Sequence, residues 1–246
     1  MPRRARIFST TGYLHVIIRG IGKQIIFEDR TDGFYFLKLL KKYSLETDVK
    51  ISAYCLMENH VHLLVNAPDD RIIVFMKKLC VSYAGYFNKK YDRVGHVFQD
   101  RYKSEPIEDE RYLLTVFRYI LQNPYKAGIC RPSDYPWSSY NLYKYPPKYM
   151  DLDLIKELVG TKDDYVKFIS SDCNDCCLEF EPSSHNDNWA LGVMKESLGV
   201  KSGTELQNYS KEKRDSAIRL LRKKGISVKQ LERLTGISKT VIYKAK

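Results

Sequence analysis

Val49-Lys50-Ile51-Ser52-Ala53-Tyr54-Cys55-Leu56-Met57-Glu58-Asn59-His60-Val61-His62-Leu63-Leu64-Val65 is the stretch on which the reading of the fold turns. Two runs rich in β-branched and apolar residues, Val49 to Leu56 and Val61 to Val65, flank the tight polar link Met57-Glu58-Asn59, which predicts a β-hairpin. Side chains alternate along a strand, so His60 and His62 face one side while Val61 faces the other. Two imidazoles at such positions can hold one divalent cation between them, although a complete site needs more ligands. Ordinary strand histidines show the same spacing, so the pair alone leaves both readings open.

Outward from the hairpin, Tyr13 to Arg19 reads as a first strand. Thr31-Asp32 stands before the apolar periodicity of Phe34, Phe36, Leu37, Leu39, Leu40 and Tyr43, predicting a helix with its N-cap there. Asp69-Asp70 caps a second helix over roughly Ile72 to Lys89, and Gly95 leads to an extended piece between Val97 and Ser104. A third helix is expected from Glu108-Asp109 to Asn123, because Pro124 disfavours helical geometry at the residue before it. The order β-α-β-β-α-β with a further helix fits the α+β class: a ferredoxin-like antiparallel sheet with helices on one face. Prolines 132, 136, 146 and 147 mark an irregular exit over residues 131–150.

The chain has 246 residues and a formal net charge of +11, distributed unevenly. Residues 1–150 carry 24 Lys and Arg against 15 Asp and Glu, residues 151–200 carry 4 against 11, and residues 201–246 carry 13 against 4. Two basic blocks around an acidic stretch suggest two surfaces that each meet a polyanion. No apolar run reaches membrane-spanning length, and the basic start lacks an apolar h-region, so a cytoplasmic protein with no membrane partner is expected. Cys173 and Cys176 resemble half a zinc knuckle, but no second pair follows at metal-site spacing, and reduced thiols are expected.

The organisation expected is a catalytic-type domain over 1–150, an acidic helical connector over 151–205 and a C-terminal all-α helix-turn-helix domain over 206–246. In that last segment Lys211 to Lys224 is basic and amphipathic, and Gly225 closes it. Ser227 caps Val228 to Thr235, Gly236 makes a turn, and Ser238 caps Lys239 to Lys246. Such a pair of helices places its second member in a DNA major groove, with Lys239, Thr240 and Tyr243 near base edges and Lys244 and Lys246 nearer phosphates.

The third helix adds chemistry to the histidine pair. Leu113, Val116, Phe117 and Ile120 form its apolar stripe, while Tyr112, Thr115, Tyr119 and Asn123 run down another face. Tyr119 and Asn123 are four residues apart and therefore neighbours. A tyrosine beside an amide oxygen, on a face that can turn toward the histidines, suits metal-assisted nucleophilic attack on a phosphate. A phenol with an ordinary pKa near 10 is a poor nucleophile at neutral pH, so it needs activation. Tyr83, Tyr86 and Tyr91 compete for the same role from the second helix.

Taken together, Tyr13 to Gly20, Ala53 to Val65, Gly95-His96-Val97-Phe98-Gln99-Asp100-Arg101-Tyr102 and Tyr119-Ile120-Leu121-Gln122-Asn123-Pro124 resemble the single-tyrosine HUH (IS200-like) transposases. The nearest likeness is to their REP-associated tyrosine transposase branch, and it covers roughly residues 6–140 in order. The resemblance implies that His60, His62 and Asn123 are metal ligands for Mg²⁺ or Mn²⁺ and that Tyr119 is the nucleophile. It implies a DNA-nicking and strand-joining enzyme working by phosphodiester transesterification on single-stranded DNA near hairpins, through a 5′-phosphotyrosine link. DNA is the expected partner, flanking duplex included, and the protein acts as a monomer or homodimer. The helix-turn-helix is a departure that the chemistry does not need, and it leaves the mode of site choice open.

Arg19 and Arg101 are candidate phosphate contacts, with Arg3, Arg4, Arg6 and Lys23 behind them, and Tyr13, Phe98 and Tyr102 are candidate base-stacking residues. Gln99 is a candidate polar support. His15 reads as a core or hydrogen-bonded histidine, His96 as facing solvent or DNA, and His185 carries no reading. A catalytically silent helix-turn-helix DNA-binding regulator and a plasmid-type nickase are the alternatives. The first has no need for an intact His60, His62, Tyr119 and Asn123 set, and the Asn-Pro ending favours the transposase branch over the second.

Overall fold

A computed structural model describes residues 9–171, 177–178, 187–200, 202–226 and 228–245. The expectations on Arg3, Arg4, Arg6, Cys173, Cys176, His185, Ser227 and Lys246 lie outside the described residues. Two compact units divide the chain, Met1–Glu179 and Phe180–Lys246.

The first unit is built on four antiparallel strands: β1 (Tyr13–Arg19), β2 (Lys50–Met57), β3 (His60–Asn66) and β4 (Lys103–Ile107), in the order β2-β3-β1-β4. Helices α1 (Arg30–Thr47) and α2 (Asp69–Lys90) interleave with them to give the expected β-α-β-β-α-β order. Helix α3 (Glu110–Lys126) follows β4 and packs against β2, β3 and β4. The interior residues of β2 and β3 are buried without alternation, which requires both faces of the sheet to be covered. The rings of α3 meet the histidine face, and the opposite face carries Val61, Leu63 and Val65.

Several element ends differ from the sequence reading. The cap of α1 is Asp29 rather than Thr31-Asp32: Asp29 accepts from the amides of Thr31 and Asp32, while the Asp32 carboxyl accepts from the amide of Asp29 in return. Asp69 and Asp70 lie in the first turn of α2, where their charge suits the helix dipole, and Pro68 takes the cap position. The extended piece expected at Val97–Ser104 forms only an isolated bridge, Phe98 to Gly20, and the strand proper begins at Lys103. Helix α3 runs through Pro124 to Lys126 instead of stopping at Asn123. The ring removes one amide donor, but Pro124 is buried, Asn123 Nδ2 donates to the Tyr119 carbonyl at 2.9 Å, and the amide of Ala127 resumes the bonding to the Asn123 carbonyl.

Asp32 ties the start of α1 to the end of α2. Its buried carboxylate accepts from Lys90 Nζ and the Tyr91 hydroxyl, each at 2.7 Å, and from the Tyr86 hydroxyl at 3.0 Å. The proline-rich exit has a purpose in the fold, since it runs beside β2. Leu56 N donates to Trp137 O, Ser139 N to Tyr54 O and Ile51 N to Tyr149 O, at 2.9–3.1 Å. An otherwise bare sheet edge is thereby satisfied.

The stretch read as an acidic connector is divided between the units. Helices α4 (Asp153–Val159) and α5 (Lys162–Ser170) join the first core through Ile155, Tyr165 and Ile169. Helix α6 (Asp187–Leu198) belongs to the second unit with α7 (Lys211–Lys223), α8 (Val228–Thr235) and α9 (Lys239–Lys244). The second core gathers Met194, Leu206, Ile218, Leu221, Leu231 and Ile242. Gly225 and Gly236 adopt positive φ of 97° and 70°, as the turns after α7 and α8 demand. Ser238 occupies the N-cap of α9 without a side-chain bond, and Glu232 Oε1 accepts from the Lys239 amide instead. Among the described residues, no helix is long and apolar enough to cross a membrane.

Candidate active site

The site begins with strand register. Across β1 and β3, Arg19 stands opposite His60, Ile17 opposite His62 and His15 opposite Leu64, so these six share one face. That face carries three imidazoles although the hairpin motif supplies only two. His15 Nε2 lies 3.1 Å from His62 Nδ1, and the two rings stack with centroids 5.4 Å apart. His60 Nδ1 lies 2.7 Å from Asn59 Oδ1. Both motif histidines thus have Nδ1 engaged by a neighbour, so a cation bound by this pair is met through Nε2. A partner on the second ring nitrogen that fixes orientation is the usual accompaniment of a metal-ligating histidine.

Burial keeps His62 and His15 neutral. His62 is pushed well below the ordinary histidine range, first by burial and then by the neighbouring His15 and His60. Burial pushes His15 down to about 3. Neutral imidazoles are the form that ligates metal. Among the described residues, no group of three or more His, Cys, Asp or Glu is placed to hold a metal ion.

Helix α3 places Tyr119 on the histidine face. Its ring meets His62 edge-on with centroids 5.6 Å apart, and His15 at 5.9 Å. The stripe of Leu113, Val116, Phe117 and Ile120 is buried, which fixes the rotation of the helix. Asn123 follows one turn later, half-buried, its Nδ2 on the Tyr119 carbonyl. Lys126 Nζ lies 4.8 Å from the centre of the Tyr119 ring. The rival tyrosines are committed elsewhere: Tyr83 hydroxyl donates to the Ile26 carbonyl, and Tyr86 and Tyr91 donate to Asp32.

The remaining expected contacts fall in separate places. Arg19 ends β1 beside His60, and its carbonyl accepts from the amide of Gln99 at 2.9 Å. Arg101 is exposed in the segment before β4. Lys239, Thr240, Tyr243 and Lys244 lie in the second unit, all exposed on α9 while Ile242 is buried. Lys239 Nζ is paired with Glu232 at 3.3 Å.

His15 is the hydrogen-bonded core histidine expected, but its place against His62 arises from pairing between strands far apart in sequence. Lys126 lay beyond the expected end of α3; helical spacing of seven residues from Tyr119 would have placed it on the same face.

Residues 9–123 match the family described as IS200-like transposase. Among solved structures, a REP-associated tyrosine transposase bound to a REP hairpin is similar at 16% identity, covering 63% of this chain and 93% of its own, with a TM-score of 0.42. A candidate transposase from Deinococcus radiodurans R1 is similar at 19% identity, covering 48% of this chain and 95% of its own, with a TM-score of 0.34. Comparison with curated proteins finds no match.

Proposed function

From the premise that residues 9–123 are an IS200-like transposase domain, we propose that the chain is a metal-dependent single-strand DNA endonuclease and strand transferase with Tyr119 as nucleophile. The observation that carries this reading is the seating of the Tyr119 ring against His62 and His15, on the face where His60 and His62 point. A buried tyrosine packed on two neutral imidazoles, one turn from an amide, is an arrangement with chemical use beyond packing.

His60 and His62 through Nε2, with Asn123 through its amide oxygen, would hold Mg²⁺ or Mn²⁺, and phosphate and water oxygens would complete the shell. Such an ion polarises a non-bridging phosphate oxygen and offsets the charge of the transition state. Tyr119 Oη bonds to phosphorus as the bond from phosphorus to the 3′ oxygen breaks. The phenolic proton passes to solvent and the departing 3′ oxygen takes one up, leaving a 5′-phosphotyrosine and a 3′-hydroxyl. Lys126, over the tyrosine ring, favours the negative charge that develops on the phenol. Because one phosphoester is exchanged for another, a new 3′-hydroxyl can reverse the step and join strands without an external energy source. The hairpin held by the REP-associated transposase makes hairpin-bearing single strands the substrate to try first.

In the second unit, α8 and α9 form the helix-turn-helix, and the exposed face of α9 is the surface proposed to read duplex DNA. The test is incubation with end-labelled hairpin-bearing single strands from the flanking genomic sequence, with Mn²⁺ or EDTA, followed by denaturing gels. The reading expects metal-dependent cleavage with a covalent protein–DNA band, absent in Tyr119→Phe and in His60→Ala. Cleavage that survives Tyr119→Phe moves the nucleophile elsewhere, and binding without cleavage across substrates and metals turns the reading to a DNA-binding regulator.

A further inference from the structure

A cleft of about 960 Å³ opens in the first unit, between the last turns of α3, the segment 131–141 and α5. Lys126, Arg131 and Lys162 line it, and among the described residues no lining side chain is acidic. Tyr125, which is 60% exposed, and the half-buried Tyr140 add aromatic surface. The walls are held in place from below. Buried Gln122 donates from Nε2 to the carbonyls of Ile169 at 2.6 Å and Ser171 at 2.9 Å, which fastens α5 to α3. The Tyr165 hydroxyl donates to the Tyr140 carbonyl at 2.9 Å, which fastens α5 to the 131–141 side.

Cations without carboxylates select a polyanion, and exposed aromatic rings beside them select one with unstacked bases. The concave shape decides between single strand and duplex, because groove readout of a duplex calls for a protruding element that enters the groove. Position decides which single strand. Lys126 both lines the cleft and lies over the Tyr119 ring, which puts the cleft one side chain away from the proposed nucleophile.

We propose that this cleft holds the nucleotides adjoining the scissile phosphate, with Arg131 and Lys162 on phosphates and Tyr125 stacked on a base. The proposal rests on the reading of Tyr119 as nucleophile for its direction, and on the cleft alone for its ligand. It assigns α5 and the 131–141 segment, both outside the family-matched residues, to substrate binding.

Fluorescence anisotropy of the full chain with short, unstructured, fluorescein-labelled single-stranded DNA tests it, in a Tyr119→Phe background so that no cleavage intervenes. Arg131→Gln/Lys162→Gln is expected to weaken binding about tenfold and to reduce the salt slope by about 1.4, two phosphates at about 0.7 each. Tyr125→Ala is expected to weaken it at least about fivefold. All three positions are exposed, and an unchanged thermal midpoint confirms that the variants fold. Affinity and salt slope unchanged in both variants overturn the proposal. Cleavage by the Tyr119 chain, run in parallel, separates the two readings: weakened binding with no cleavage anywhere keeps the cleft and removes the nuclease, while normal cleavage with unaffected binding removes the cleft alone.

Discussion

His15 Nε2 and His62 Nδ1 meet at 3.1 Å across the pairing of β1 with β3. For His62 to offer Nε2 to a cation, its Nδ1 must carry the proton and donate it to His15. His15 then carries its own proton on Nδ1, a buried atom with no hydrogen-bond partner. The tautomer such a ligand requires would thus be held at the cost of an unsatisfied group one residue deeper.

Replacing that support is expected to loosen the metal. His15→Ala should weaken Mn²⁺ binding by about 10–100-fold, measured by isothermal titration calorimetry, with partial recovery in His15→Gln. An unchanged dissociation constant in His15→Ala would remove the positioning role.

Acid is expected to remove a stabilising contribution made by Asp32. Burial opposes ionisation of this carboxyl, but hydrogen bonds from Lys90, Tyr91, the Asp29 amide and Tyr86 together hold it below its ordinary value of 3.8. A group depressed in the folded state stabilises above its unfolded pKa and loses that contribution as pH falls through the folded one. Thermal midpoints should therefore decline below about pH 4, and Asp32→Asn should flatten that decline. The same variant should cost about 1–2 kcal/mol at neutral pH, because Lys90 and the Tyr91 hydroxyl lose a charged acceptor while Lys90 keeps Asp29. Equal acid sensitivity in both proteins would place the effect at other carboxylates.

Gly203 tests the packing of the second unit. A Cβ there would sit 2.5 Å from the Leu234 carbonyl oxygen, a backbone atom that cannot swing aside. Gly203→Ala is expected to cost about 1–3 kcal/mol. In a Trp137→Phe background, Trp189, which packs on the second core, is the sole indole and reports that loss in denaturant melts. A melt of unchanged midpoint would mean that the backbone there yields freely.

On α9, the pairing of Lys239 with Glu232 separates two exposed cations, Lys239 and Lys244. Lys244→Ala should lower the salt slope of duplex binding by about 0.9, whereas Lys239→Ala should change it less. Equal slopes for wild type and Lys244→Ala would take α9 off the DNA.

Most of the sheet was legible because its signals are local. The hairpin, the first strand and the bodies of the helices follow from alternation, turn residues and period, and the His60–His62 and Tyr119–Asn123 pairs each follow from spacing along a single element. What escaped depends on distant partners. The strand after Gly95 was placed several residues early, since only pairing with β1 fixes where β4 starts. Pro124 was read as a stop because its burial and the Asn123 side-chain bond are tertiary facts. The partner of His15 is set only by register, and the acidic stretch hides two helices whose apolar residues belong to the first core.

The segment along β2 bears on heredity. The family-matched residues end at 123, yet β2 has its outer edge closed by residues 137–151, and Tyr135, Tyr149, Leu152 and Ile155 fill the same core. A gene copied or recombined only as far as the matched region would encode a sheet with an open edge, ready to pair with its own copies. The block that closes this edge and fills this core reaches through α5, so the walls of the cleft travel with the sheet that carries His60 and His62.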